Sequence, residues 1–391
     1  MKKRIGLITN TLTGGGLERA MVNIANQLSK NNYKVDFLVA SNKGELFADL
    51  LDSVNVIILK KSSKLSIKFI WTIFLSSRDG YQLYFKNIRY RWPKAMKCIP
   101  AIKEYVHKAD PDIILSTPMT ANVAMILACS KSSNKPKLVV REASTLSMEI
   151  KNKVNPVFNN LIKIVPWAYN NAHRVICVSK GVKSDLCDNY LIDESKCEIL
   201  RNPIDAKELY RLAKEYNPDE LLIDIYSPYL LAIGRLEEQK DFGTLIKAFS
   251  ILEYTIPIKL LILGEGSERK KLENLIDELE LSERVIMPGF IKNPYPYLSK
   301  CDLFVLSSRW EGLANVLREA MVFGKKIVAT DCPSGTREII ENYNSGIIVP
   351  VSDYQSMSKA IYNALVSDVN EDANVVIYNS NDYVNMINRL L

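Results

Sequence analysis

The chain has 391 residues, is 47% hydrophobic and 24% charged, and carries a formal charge of +7. Such a length supports two domains with full cores, and the composition argues against disorder. Seven cysteines lie far apart without CxxC or CxxH spacing, which argues against a disulfide framework or a zinc site and fits a reducing compartment.

The opening MKKRIGLITNT is basic, but its apolar run is only a strand long and meets a glycine cluster instead of a cleavage site, so no signal peptide is expected. Short β-branched runs alternating with helical stretches predict strands at about 4–10, 35–40, 54–59, 111–116, 137–141, 174–178 and 197–200, with helices such as 17–30 between them. The longest apolar run of the middle region, Phe69 to Leu75, is far short of the roughly 20 residues that cross a bilayer. The pattern restarts with strands at about 229–234, 258–263, 284–287, 302–306, 326–329 and 346–349. Between the two series, Asn202 to Pro228 is polar and carries Pro203, Pro218 and Pro228, which places a domain boundary there. The expected architecture is α/β, with two Rossmann-like, doubly wound parallel-sheet domains facing a central cleft. Residues 1–203 form the first domain and 204–375 the second, with a helix at about 376–391 packing back on the first.

In open parallel sheets ligands bind beyond the carboxyl ends of the strands, so the loops there carry the functional expectations. The first strand runs into TLTGGGLER, where Gly14, Gly15 and Gly16 precede a helix whose N-terminus suits an anion. The glycines are contiguous, so this is not the dinucleotide G-x-G-x-x-G, and a plain tight turn fits the loop as well. After the strand YLLAIGR, Gly234 and Arg235 are followed by Lys240, just ahead of a helix beginning near Asp241. Two cations beside a helix start suit a diphosphate that gains charge as it leaves, although solvated loop charges read the same. In LGEG, Gly264 and Gly266 allow backbone to approach a planar base, or serve only the turn. Phe290 and Ile291 follow the next strand, where their backbone can read a base edge or simply pack.

The sharpest feature is SSRWEGLANVLREAMVFGKK, with Glu311 in a loop and Glu319 inside a helix that starts near Ala314. The free N–H groups near Val316 and Leu317 suit a phosphate, with Asn315 beside them in the expected donor site, and a glutamate can bridge two sugar hydroxyls. Taken alone, two glutamates on a helix are ordinary surface.

Together, TGGGLER, GRL…QKDF, LGEG and the Glu311 to Glu319 pair resemble glycosyltransferase family 4, enzymes of the GT-B fold, over essentially the whole chain. REAST, LRNPID and TDCPSGTREI look like members that build bacterial surface polysaccharides or lipid-linked oligosaccharides. The resemblance implies a retaining, hexosyltransferase-type enzyme using a nucleotide-diphosphate sugar, with UDP the expected carrier. Arg235 and Lys240 would hold the diphosphate, Glu319 the ribose and Glu311 the transferred sugar. Gly15 and Gly16 would lie against the reaction centre from the other domain. Many members carry a histidine after the fourth strand of the first domain, where this chain reads STPMTAN; its only histidines are His107 and His173. Arg141 or Glu142, ending the fifth strand, would position the acceptor, unless the two merely pair across a loop. No cofactor and no metal are expected if the two cations and a helix end supply the positive field.

Between Lys60 and Lys108 stand twelve basic residues (Lys60, Lys61, Lys64, Lys68, Arg78, Lys86, Arg89, Arg91, Lys94, Lys97, Lys103 and Lys108) against Asp79 and Glu104. They are interleaved with Phe69, Trp71, Phe74, Tyr81, Tyr84, Phe85, Tyr90 and Trp92, which suits an anionic membrane surface. The same pattern also describes a solvated helical face with its aromatics in the core. The expected partners are a nucleotide sugar, a glycan or lipid-linked glycan and the inner face of the cell membrane, with a cytoplasmic location and no nucleic acid. The alternatives are a sugar-nucleotide epimerase or phosphorylase, a nucleotide-sugar-binding protein without turnover, or an NAD-dependent oxidoreductase, which the glycine spacing disfavours.

Overall fold

Strand formation follows the apolar runs closely, because a parallel sheet covered on both faces demands continuous rather than alternating hydrophobic strands. The computed structural model describes residues 2–62, 93–130, 136–152, 161–215, 228–252, 257–341, 343–367 and 381–391. The first sheet contains β1 (Arg4–Thr9), β2 (Lys34–Val39), β3 (Asn55–Ile58), β4 (Ile113–Ser116), β5 (Lys137–Glu142), β6 (Arg174–Cys177) and β7 (Cys197–Ile199). The second contains β8 (Tyr229–Ile233), β9 (Lys259–Leu263), β10 (Val285–Gly289), β11 (Leu303–Leu306), β12 (Lys326–Thr330) and β13 (Gly346–Val349). Their orders are β3-β2-β1-β4-β5-β6-β7 and β10-β9-β8-β11-β12-β13, with neighbouring strands parallel.

The chain divides into two compact units, Met1–Pro203 with Asn379–Leu391, and Ile204–Tyr378. In the first, the helix Gly16–Lys30 buries Ala20, Met21, Ile24, Ala25 and Leu28, a spacing that turns one face inward. That face joins a core with Ile5, Leu7, Val35 and Phe37 from β1 and β2. Tyr383, Met386 and Ile387 of the last helix, Asp382–Leu390, belong to the same core. In the second unit Phe242, Leu245, Ile246 and Phe249 of the helix Phe242–Ser250 pack with Leu230, Leu260 and Ile262 of the sheet.

Each sheet reverses its order once, at β1/β4 and at β8/β11. Connections on the two sides of such a point leave for opposite faces, which opens a crevice at the carboxyl ends of the two strands. The glycine loop follows β1, the Arg235 and Lys240 loop follows β8, and Glu311 follows β11.

Residues 63–92, which include the eight aromatics from Phe69 to Trp92 and half of the segment's cations, lie outside the described residues, as do 216–227 in the stretch expected to join the domains. No helix among the described residues is long and apolar enough to cross a membrane.

Candidate active site

Where the loops after β8 and β9 meet, the backbone is packed too closely for side chains. The Gly234 amide donates to the Leu263 carbonyl at 3.0 Å, the Leu236 amide to Glu265 at 2.9 Å, and the Glu268 amide back to Leu236 at 2.8 Å. A β-carbon on Gly264, whose φ is +153°, would stand 1.8 Å from the Gly234 carbonyl oxygen, and one on Gly266 would stand 2.3 Å from that of Leu236. The neighbouring loop's backbone alone thus requires glycine at 264 and 266.

Gly234 has another neighbour. Its missing side chain leaves room for the stem of Lys240, whose Cγ, Cδ and Cε lie 3.1–3.2 Å from where a β-carbon would be. Laid across the glycine, the stem delivers its ammonium to Glu311 Oε1 at 2.5 Å. Ser308 Oγ donates to the same oxygen at 2.7 Å, and Glu311 is only 6% exposed. Further bonds stitch the two loops: Ser307 Oγ to the Lys240 carbonyl at 2.7 Å, Gln239 Nε2 to the Trp310 carbonyl at 2.8 Å, and the Arg309 amide to the Gln239 carbonyl at 2.8 Å. Arg235, by contrast, stands in solvent and donates to Glu237 at 2.8 Å. Exposed pairs of that kind are worth about 0–1 kcal/mol, so its guanidinium is cheap to redirect toward a ligand.

Behind Glu311 runs the helix Asn315–Val322, capped by Ala314 without a side-chain hydrogen bond. Asn315, Val316 and Leu317 make its first turn, and Glu319 is half-buried in the second. An N-terminus whose capping residue brings no side-chain acceptor concentrates partial positive charge beside the Lys240–Glu311 pair. The loop after β12 closes on the segment just ahead of that helix: at Gly335, φ +78°, a β-carbon would stand 2.8 Å from the Gly312 carbonyl oxygen. Gly289 ends β10, and beyond it Phe290 is 49% exposed while Ile291 is partly buried.

In the first unit Gly15 caps the helix Gly16–Lys30 in extended conformation. A β-carbon there would meet Glu18 Oε2 at 2.4 Å, and Thr11 Oγ1 donates to Glu18 Oε1 at 3.3 Å. The helix start therefore already holds an anion, the carboxylate of its own Glu18.

Arg141 and Glu142 do not stand where an acceptor-positioning role needs them. Both are fully buried, and because successive strand residues point to opposite faces they do not pair with each other either. Arg141 donates to Tyr383 Oη at 3.0 Å and to Thr117 Oγ1 at 3.5 Å, and also bonds Asn202, tying the last helix to β5. Glu142 accepts from the Tyr169 hydroxyl at 2.6 Å, the Ala143 amide at 3.0 Å and the Ser144 hydroxyl at 3.2 Å. Burial pushes its carboxyl up to about 7, against the pull of Tyr169. His173 is structural: its Nδ1 accepts from the Leu138 amide at 3.0 Å.

Two family descriptions match the chain, Glycosyltransferase Family 4 over residues 14–208 and Glycosyl transferases group 1 over residues 213–382. The chain belongs to glycosyltransferase family 4. It is 36% identical to the Campylobacter jejuni N-acetylgalactosamine-N,N'-diacetylbacillosaminyl-diphospho-undecaprenol 4-alpha-N-acetylgalactosaminyltransferase over 60% of this chain, a match that spans only 62% of the relative. A second Campylobacter jejuni relative, GalNAc-alpha-(1->4)-GalNAc-alpha-(1->3)-diNAcBac-PP-undecaprenol alpha-1,4-N-acetyl-D-galactosaminyltransferase, is 24% identical over 92% of this chain and 88% of the relative. The crystal structure of Anabaena HepE with UDP-glucose superposes with a TM-score of 0.72 at 18% identity, covering 99% of this chain and 98% of that one. The fold is GT-B, two parallel-sheet α/β domains.

In this member of the family direct contacts gather Gly234, Lys240 and Glu311 into one group, with Arg235 beside them in the same loop. Sequence reading passed over Gln239, Asp241, Ser307, Ser308 and Arg309, which hold that group; only the neighbourhood of SSRWEG to Glu311 signals the serines and Arg309. It also passed over Asp110 and Asp112, an Asp-x-Asp spacing of the kind that can hold a metal. These lie at the amino end of β4, away from the strands' carboxyl ends, and Asp112 accepts from Lys3 Nζ at 2.9 Å and from the Arg4 amide at 2.8 Å.

Proposed function

We propose that this glycosyltransferase moves a hexose-type sugar, with retention of configuration, from a UDP-linked donor to a lipid-linked glycan during assembly of a bacterial surface polysaccharide. The observation that carries the reading is the group at the β8/β11 reversal: an exposed Arg235, a fixed Lys240 and a helix start whose capping residue, Ala314, brings no side-chain acceptor, with Glu311 and Glu319 close in sequence. Cations and helix N–H groups answer the charge of a departing diphosphate, and carboxylates answer sugar hydroxyls. Both Campylobacter relatives carry undecaprenol-linked substrates in their names, and the HepE complex holds UDP-glucose.

The step is balanced without a separate base. The bond from the sugar's anomeric carbon to the diphosphate oxygen breaks, the bond to the acceptor oxygen forms on the same face, and the acceptor proton passes to the departing phosphate oxygen. Arg235, Lys240 and the first turn of Asn315–Val322 stabilise the leaving diphosphate, Glu319 holds the ribose, and Glu311 the transferred sugar. Phe290 and Ile291 flank the base. With that positive field in place no metal ion and no cofactor are needed, so turnover in EDTA should equal turnover in Mg²⁺. The acceptor's lipid anchor and the cations from Lys60 to Lys108 support work at the cytoplasmic face of the membrane.

The test is incubation of a panel of UDP-, GDP- and ADP-sugars with an undecaprenyl-diphosphate glycan. The expected outcome is acceptor-dependent release of UDP and an anomerically retained product. Isomerisation of the sugar without acceptor, or binding with no product from any donor, would overturn it.

A further inference from the structure

Asp241 has a backbone conformation that side-chain-bearing residues avoid, φ 46° and ψ 44°, at the junction between Lys240 and the helix Phe242–Ser250. Its buried carboxylate is held from two distant segments. Oδ2 accepts from Arg309 Nε at 3.0 Å and from Ser352 Oγ at 2.8 Å, while Oδ1 accepts from Arg309 Nη2 at 3.4 Å. Arg309 comes from the loop after β11, and Ser352 from the turn after β13, itself at φ 58°. The other arm of Arg309 reaches Glu238 Oε1 at 2.9 Å.

Lys240 shares a peptide bond with Asp241. A lysine is a point charge on a flexible four-carbon stem, so it stabilises a developing charge well only if something removes that freedom beforehand. The Lys240 carbonyl is pinned by Ser307, its stem lies over Gly234, and its direction of departure from the backbone is fixed by the unusual turn at Asp241. Both carboxylate oxygens of Asp241 are taken by Arg309 and Ser352, so it supplies geometry rather than a ligand contact.

We propose that Asp241, clamped by Arg309 and Ser352, is a positioning residue that aims Lys240 at the donor diphosphate, an inference that rests on the donor reading given above. The carboxylate, not the turn alone, sets the aim.

Two variants separate these parts. Asp241→Gly keeps the left-handed turn and removes the carboxylate; Asp241→Asn keeps shape and turn and removes the charge. Each is measured for kcat, donor KM, melting temperature and circular dichroism beside wild type, Lys240→Ala and Lys240→Ala/Asp241→Asn. The expected result is a fall in kcat of about tenfold to a hundredfold with donor KM changed by less than about twofold, and intact secondary structure. The double variant should be no slower than Lys240→Ala, because Asp241 acts through Lys240. If wild type and Lys240→Ala show no donor-dependent difference, the donor reading itself falls. If that difference is present but both Asp241 variants keep wild-type kcat, the positioning inference alone is overturned. Losses that multiply in the double variant, or that track melting temperature, overturn it as well.

Discussion

Lys240 and Glu311, separated by 71 residues in sequence, share an ion pair of 2.5 Å in which neither side chain is more than 15% exposed. One carboxylate oxygen therefore receives both the cation of the β8 loop and the hydroxyl of Ser308. A pair this shielded keeps much of its strength in salt, and removing one member strands the other. Replacing Glu311 with Gln should cost about 1–3 kcal/mol of stability, less than a fully buried pair because Lys240 still touches water. Transfer should fall by about 10²-fold, since Lys240 loses its fixed direction. Denaturant melts and initial rates of E311Q measure both.

Two glycine loops respond unequally to the same change. Gly264→Ala drives a methyl group into the Gly234 carbonyl at a φ of +153°, which should lower stability by about 2–4 kcal/mol and melt the β8 loop with it. Gly15→Ala meets only the movable end of Glu18 at an ordinary φ of −72°, so stability should fall by only about 0.5–1 kcal/mol, the difference between glycine and alanine as a helix cap. Thermal melts of the pair read the contrast.

The last helix is held by a charge. Tyr383 hydrogen bonds the buried Arg141 guanidinium, and its removal in Tyr383→Phe leaves a donor of a charged group unanswered, a cost of about 1–3 kcal/mol. The loss should appear as early proteolytic release of the C-terminal residues ahead of the rest of the chain.

Glu142 gives stability a pH slope of known sign. Burial holds its carboxyl near 7 in the fold, above its unfolded value, so its favourable contribution is complete below about pH 4.3 and is lost as pH rises to about 7. Glu142→Gln, neutral at every pH, should lack this slope. The stability of the variant relative to wild type should therefore climb between pH 4.5 and 7 and level off above, by about 3 kcal/mol in all. Melts across pH read it; a parallel pair of curves contradicts the assignment.

The strands were legible because a doubly covered parallel sheet writes itself as apolar runs; β8, β9 and β11 begin within one residue of the expected positions. Loop chemistry was readable where residues adjoin in sequence, as with Gly234 and Arg235. It was not readable where partners come from elsewhere. Nothing near Asp241 announces Ser352, and nothing in VVREAST announces Tyr383, 242 residues away from Arg141. Gly264 and Gly266 were legible as glycines needed for close approach, but the approaching group is the protein's own backbone.

The most direct test of the account is the transfer rate of an Arg235→Ala/Lys240→Ala double variant, folded as wild type by circular dichroism, with its best UDP-sugar and acceptor. The account predicts a fall of about 10³-fold or more, because the leaving diphosphate loses both cations. A rate equal to wild type would contradict it.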